Sequence, residues 1–189
     1  MPMRKSSEQK LLDAVDELLF TQGIESTPVD AVLARAGVSA ATLYRGYRSK
    51  EALVAAALER RHERWRDEWD QAVAAATDDE DKLLAVFDAL ESFHTRTDSA
   101  RWCAFLGAAA EYASPPDELA DAIARDTHHF RTRLRELAEK AACTDPDDLA
   151  EDLLLVISGE LTMRLRDPDG SAGPGRRIAT ALVRAARQT

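Results

Sequence analysis

The chain has 189 residues, of which 45% are hydrophobic and 31% charged, and this suffices for a buried core in one or two domains. Aromatic residues make up only 6%, and no segment shows the alternation of apolar and polar residues that is typical of a β-strand. The sequence contains no recognisable signal peptide and no run of the ~18 apolar residues that a membrane span needs. Composition therefore favours an all-α cytoplasmic protein, and its net charge of −9 arises after residue 60, since residues 1–60 carry eight basic and eight acidic side chains.

The first helix is predicted over residues 7–22, because its leucine and valine residues recur on one face. Gly23 is expected to end it, since glycine adopts the left-handed conformation without a clash. For the second helix, Thr27 is a suitable N-cap and Pro28 a suitable first residue, and the helix should stop at Ala36 and Gly37.

The third helix is predicted over residues 40–45, with Ser39 as its N-cap and with Val38 and Leu43 facing inward. A helix, a glycine-containing turn and a short helix make a helix-turn-helix unit. A fourth helix should begin at Lys50, after the cap Ser49, and continue past Trp69. This region is locally basic, because the segment 35–50 holds four basic residues and no acidic one.

Acidic or Pro/Gly-rich loops divide the remainder into five further helical segments, at about 82–97, 100–113, 117–142, 147–166 and 175–187. The predicted fold is thus all-α with about nine helices. An N-terminal three-helix domain, residues 1–50, precedes a helical-bundle domain, residues 51–189.

The segment Leu11–Leu53 resembles the DNA-binding domain of the tetracycline-repressor (TetR) family of transcriptional regulators. The resemblance rests on Gln22-Gly23, Thr27, the turn AGVS at 36–39, TLY at 42–44 and SKEAL at 49–53. The sequence departs from the family at Gly46 and Tyr47, where relatives usually carry His and Phe. The resemblance implies a homodimeric repressor that binds a palindromic operator in double-stranded DNA and is released by an unknown small apolar or amphipathic ligand.

In this geometry the third helix enters the major groove and the second crosses the backbone. Candidate DNA contacts are therefore the exposed or flanking residues Thr27, Ser39, Ala40, Ala41, Thr42, Tyr44, Arg45, Tyr47 and Lys50. Capping alone would also explain Thr27 and Ser39, core packing would explain Tyr47, and a solvated first turn would explain Lys50. Arg4 and Lys5 are expected to form a flexible arm near the duplex.

The family resemblance implies dimerisation through the last two long helices, and an intramolecular bundle is the alternative. Candidate interface residues are Leu153, Val156, Ile157, Leu161, Ile178 and Leu182. Candidate ligand-pocket residues are mainly aromatic: Trp69, Phe87, Phe93, Trp102, Phe105, Leu106, Glu111, Tyr112, Phe130 and Met163. Each is also compatible with an ordinary core position, and Glu111 with solvent exposure.

Two other functions compete with a ligand-released repressor. The first is a helix-turn-helix regulator without a small-molecule ligand, which fits the same residues. The second is a helical-bundle enzyme, but the sequence shows no nucleophile–base pair or phosphate loop that would support it. The histidines and cysteines show no metal-ligand spacing, so we expect neither a metal nor a cofactor. Cys103 and Cys143 are expected to be free thiols.

Overall fold

The computed structural model describes residues 3–95, 103–167 and 173–187. In these ranges the chain forms nine α-helices and no strand, which confirms the predicted fold class. The helices are α1 (Lys5–Gln22), α2 (Val29–Ala36), α3 (Ala40–Gly46), α4 (Lys50–Ala75), α5 (Asp79–His94), α6 (Ala104–Glu111), α7 (Asp117–Lys140), α8 (Pro146–Arg166) and α9 (Gly173–Arg187).

By its internal contacts the chain divides into two compact units. Unit 1 comprises residues 1–62 and 97–124, and unit 2 comprises residues 63–96 and 125–189. Helices α4 and α7 each contribute one part to each unit. The domain boundary predicted at residue 50 is a separate matter and stays a prediction.

The core of unit 1 forms around α1, whose apolar face is buried as its periodicity predicts. Leu11, Val15 and Leu19 of α1 pack in one cluster with residues of α2, α3, the start of α4, α6 and the start of α7. Gly23 ends α1 with a φ of 101°, and its N–H donates to the Leu19 carbonyl at 2.9 Å. Glycine at this position avoids the cost that a side chain meets at positive φ.

Charged side chains join α1 to α4 inside unit 1. Arg60 of α4 donates to Asp13 at 2.7 Å and to Asp16 at 2.5 Å, and Asp16 is buried. Arg61 lies 3.7 Å from the same Asp16 carboxylate. Such a buried pairing fixes one alignment of two helices, since loss of either partner leaves a charge without compensation.

Unit 2 has its own core of apolar residues from α5, α8, α9 and the unit's parts of α4 and α7. Its helix starts follow local sequence rules: Asp78 caps α5 by accepting the Asp81 N–H at 2.8 Å, and Pro146 opens α8. Glu160 of α8 accepts the N–H of Gly175 at 2.8 Å and so joins α8 to the first turn of α9.

Candidate nucleic-acid interface

The third helix is held in place from beneath and at its start. Leu43 is fully buried in the core of unit 1, and the Ser39 hydroxyl accepts the Thr42 N–H at 3.3 Å. Gly37 makes the turn before it with a φ of 61°, and the Val38 N–H donates to the Leu33 carbonyl at 3.2 Å. The predicted cap and inward-facing leucine are therefore present, and they hold the outer face of α3 in a fixed orientation.

The outer face of α3 presents small, aromatic and cationic groups to solvent. Ala40, Ala41 and Arg45 are exposed, and the Tyr44 side chain is 54% exposed. Thr42 is half-buried, with its hydroxyl 3.0 Å from that of Ser39. These groups offer a guanidinium, two hydroxyls and methyl surfaces, which is the set that hydrogen-bonds and packs against base edges and thymine methyls.

Three of the four basic residues in segment 35–50, namely Arg35, Arg48 and Lys50, have partners within unit 1. Arg35 pairs with Glu17, and Arg48 pairs with Glu118, whose pKa is lowered by the hydrogen bond from that guanidinium. Arg45 differs, because it makes no ion pair with any residue that the structure describes. Among these four side chains, Arg45 has the cation that is uncommitted.

Lys50 and Glu111 hold the loop between α1 and α2 from two sides. The Lys50 ammonium donates to the carbonyls of Ile24 and Thr27, the latter at 2.6 Å. The Glu111 carboxylate accepts the N–H of Ile24 at 2.9 Å and that of Glu25 at 2.7 Å. Lys50 was predicted as a phosphate contact and Glu111 as a solvent-exposed or pocket residue, but both side chains bind backbone groups of this loop.

The predictions for Thr27 need correction. Its side chain is only 2% exposed, and its hydroxyl donates to the Gly23 carbonyl at 2.8 Å. The second helix begins at Val29 with Pro28 in the cap position, so Thr27 does not cap it. A buried hydroxyl that already donates inside the protein presents no group to a phosphate, and Thr27 instead stabilises the loop.

Tyr47 lies between the surface and the core. It packs against the core of unit 1, and its hydroxyl donates to Glu8 at 3.2 Å. Partial burial and the negative charge of Glu8 raise the pKa of this phenol to about 12. The structure therefore gives the hydroxyl, which the sequence suggested for a phosphate, a partner on the first turn of α1.

The predicted ligand-pocket residues fall into different surroundings. Four of them lie in unit 2: Trp69, Phe87 and Phe130 belong to the same core cluster as Trp65, and Phe93 packs against it. The rings of Trp65 and Phe130 stack with their centroids 5.4 Å apart, and Trp69 lies 5.2 Å from Phe130 and 5.6 Å from Trp65. The indole N–H groups of Trp65 and Trp69 are both buried without a hydrogen-bond partner.

The remaining pocket candidates are not part of this aromatic cluster. Phe105 is buried in the core of unit 1, Tyr112 packs against that core, and Leu106 is half-buried. Met163 of α8 is 52% exposed. Trp102 lies outside the described residues.

The candidate dimer residues on α8 face more than one way. Leu153 and Ile157 are fully buried in the core of unit 2, so these two predictions are corrected: they already pack inside their own chain. Val156, Leu161 and Leu182 are half-buried against the same core. The large apolar side chains that α8 exposes are Leu155 at 73%, Met163 at 52% and Leu165 at 37%. On α9 the exposed one is Ile178 at 54%, which is among the predicted interface residues.

Within the described ranges, no three His, Cys, Asp or Glu side chains come together as a metal site. Cys103 and Cys143 are free thiols. Of the described helices, none is both long enough and apolar enough to cross a membrane.

Several known proteins are similar to this chain in sequence pattern or in fold. Residues 11–57 match the family model of bacterial regulatory proteins, tetR family. No curated protein matches the chain in sequence. Similar solved structures include a TetR-family transcriptional regulator from Streptomyces coelicolor, with 23% identity, 97% of each chain covered and a TM-score of 0.87.

Two further solved structures share the fold over nearly the whole chain. A TetR transcriptional regulator from Chloroflexus aurantiacus has 22% identity and a TM-score of 0.80, with 99% of this chain and 98% of that one covered. A TetR-family transcriptional regulator from Cytophaga hutchinsonii has 16% identity and a TM-score of 0.83, with 98% of each chain covered.

Proposed function

We propose that the chain is a TetR-family transcriptional regulator, a homodimeric repressor that binds a palindromic operator and is released by a small apolar or amphipathic ligand. In this proposal residues 1–50 bind DNA, residues 51–189 bind the ligand and the second protomer, and the protein acts in the cytoplasm. The observation that carries it is the pair Tyr44 and Arg45, exposed on a helix whose opposite side is anchored by Leu43.

The outer face of α3 fits the major groove of DNA. A helix of this kind places its side chains against base edges, and a dimer presents two such helices about one DNA turn, ~34–36 Å, apart. Tyr44 and Thr42 would contact base edges or thymine methyls, while Ala40 and Ala41 permit close approach. Arg45 would bind a guanine or a phosphate, and Ser39 lies at the groove edge.

Two substitutions test the DNA-binding role. We expect Tyr44→Ala and Arg45→Ala each to weaken operator binding by about 1–3 kcal/mol, which is roughly 5-fold to 150-fold. Arg35→Ala is the control, since that guanidinium is already paired with Glu17. The measurement is footprinting at fixed salt on the DNA next to the protein's own gene. Equal affinities for the wild type and all three variants, or no palindromic site that binds, would contradict the proposal.

The exposed apolar residues of α8 and α9 support the homodimer. Leu155, Gly159 and Met163 follow one another at i, i+4 and i+8, so they share a face of α8, and Ile178 projects from α9. Such an apolar patch on a water-facing surface is typical of a protein interface. Leu155→Glu should shift the sedimentation profile towards monomer, whereas Glu91→Gln, at an exposed position of α5, should not.

The aromatic cluster of unit 2 supports a ligand site. A buried donor without an acceptor costs about 1–3 kcal/mol, and the Trp65 and Trp69 indoles each carry one. A ligand with an aromatic or apolar body and one acceptor oxygen would satisfy either donor. Such compounds should raise the melting temperature measured by circular dichroism and lower operator affinity. Stabilisation without DNA release would favour a regulator with another control.

A further inference from the structure

The chain just before α1 packs against the end of the third helix. Met3 lies on the surface of the unit 1 core, next to Gly46, the last residue of α3. A β-carbon placed on Gly46 would lie 2.6 Å from the Met3 Cε and 3.1 Å from its Sδ. The Met3 side chain therefore occupies the space that any other residue at position 46 would fill.

We propose that residues Met3–Lys5 form a second DNA-contacting segment, docked at Gly46, which binds backbone phosphates beside the groove that α3 enters. This inference rests on the proposed DNA binding by α3 and extends it to a part of the chain outside the helix-turn-helix. Gly46 then has a specific role, because the absence of a side chain creates the seat for Met3.

The charges near Met3 fit a polyanion. Arg4 and Lys5 are exposed and make no ion pair with any described residue. Adjacent α-carbons are only ~3.8 Å apart, so docking of Met3 keeps Arg4 close to the end of α3. The first acidic residue that follows, Glu8, accepts the hydrogen bond from Tyr47. Arg45, next to Gly46, adds the uncommitted cation of α3 itself.

This placement suggests phosphates rather than base edges as the target. The residues of a recognition helix that read bases lie mainly towards its N-terminal end, whereas Gly46 is at the C-terminal end of α3. Flexible cationic side chains at a groove edge bind the backbone and give affinity that does not depend on sequence. The segment should therefore strengthen binding to any duplex, and its contribution should fall as salt rises.

The test is the salt dependence of binding to a fluorescent random-sequence duplex, measured by anisotropy with the full chain. For the double variant Arg4→Ala/Lys5→Ala, the slope of log K against log salt should fall in magnitude by about 1.8 for each protomer bound. The control is Lys82→Ala/Lys140→Ala, which removes the same charge from exposed or half-buried positions of unit 2. Its slope should stay at the wild-type value.

Two further variants test the seat without removing charge. Gly46→Ala should displace the flexible end of the Met3 side chain, and Met3→Ala should remove it. Both variants should therefore reduce the magnitude of the slope of log K against log salt, while their melting temperatures stay near that of the wild type. An unchanged slope in both would overturn docking at Gly46. An unchanged slope in Arg4→Ala/Lys5→Ala, with a lower one in Arg45→Ala, would overturn the second segment and leave the function of α3 intact. If Tyr44→Ala and Arg45→Ala also leave operator binding unchanged, the proposed function itself fails.

Discussion

The carboxylate of Glu111 should stabilise the fold well beyond what a surface acid contributes. It accepts two backbone N–H groups, and hydrogen bonds to a charged group contribute about 1.5–3 kcal/mol each. Ile24 is buried, so water cannot readily replace the carboxylate at its N–H, whereas Glu25 is exposed and recovers most of its bond from solvent. We therefore expect Glu111→Ala to lower the free energy of unfolding by about 2 kcal/mol.

Glu118→Ala is the matched control, since it removes the same side chain from the same unit. Its partner Arg48 is 73% exposed, and a surface ion pair of this kind contributes about 0.5 kcal/mol. Both variants and Glu111→Gln, which keeps one acceptor oxygen but loses the charge, should be compared by urea unfolding followed by circular dichroism. We expect Glu111→Gln to lie between the wild type and Glu111→Ala. The reasoning is refuted if Glu111→Ala is no less stable than Glu118→Ala.

Three shorter predictions concern single positions. Gly37→Ala should lower the free energy of unfolding by about 1 kcal/mol, because φ is 61° while a β-carbon there meets no atom within 4 Å; Gly37→Asn should cost less, and equal costs would contradict the conformational cause. Tyr47 stays neutral in the folded state up to a pKa of about 12, against 10 unfolded, so wild-type stability should be fully present below pH 10 and decline towards pH 12, and Tyr47→Phe should lose this component. Burial raises the pKa of the Cys143 thiol, so a thiol reagent should modify it at neutral pH far more slowly than it modifies the urea-unfolded chain.

The features that the sequence predicts correctly here depend on neighbours along the chain. The Ser39 hydroxyl accepts the N–H of the residue three positions later, and Val38 and Leu43 both pack in or against the core of unit 1. Gly23 and Gly37 end their helices at positive φ. Each of these follows from backbone geometry within one or two turns, which the order of residues specifies. The helix-turn-helix could therefore be predicted almost in full.

The features that sequence reasoning missed depend on distant partners. Glu111 meets Ile24 across 87 positions, and no local pattern separates that acid from an exposed one. Thr27 has the residue type and the position of an N-cap, but its hydroxyl donates to the Gly23 carbonyl. On α8 the apolar residues surround the helix, so periodicity alone could not tell that Ile157 faces its own core and Leu155 faces solvent.

The aromatic cluster of unit 2 also determines what can be observed in solution. Of the three tryptophans in the chain, Trp65 and Trp69 lie with ring centroids 5.6 Å apart, and both are buried. Two indoles this close couple their electronic transitions, which should give a strong near-ultraviolet dichroism signal that vanishes when their packing loosens. With Trp102→Phe, all indole emission would arise from this pair. The indole emission of this variant would then report on unit 2 alone. A structural change confined to unit 1 should leave that emission unchanged.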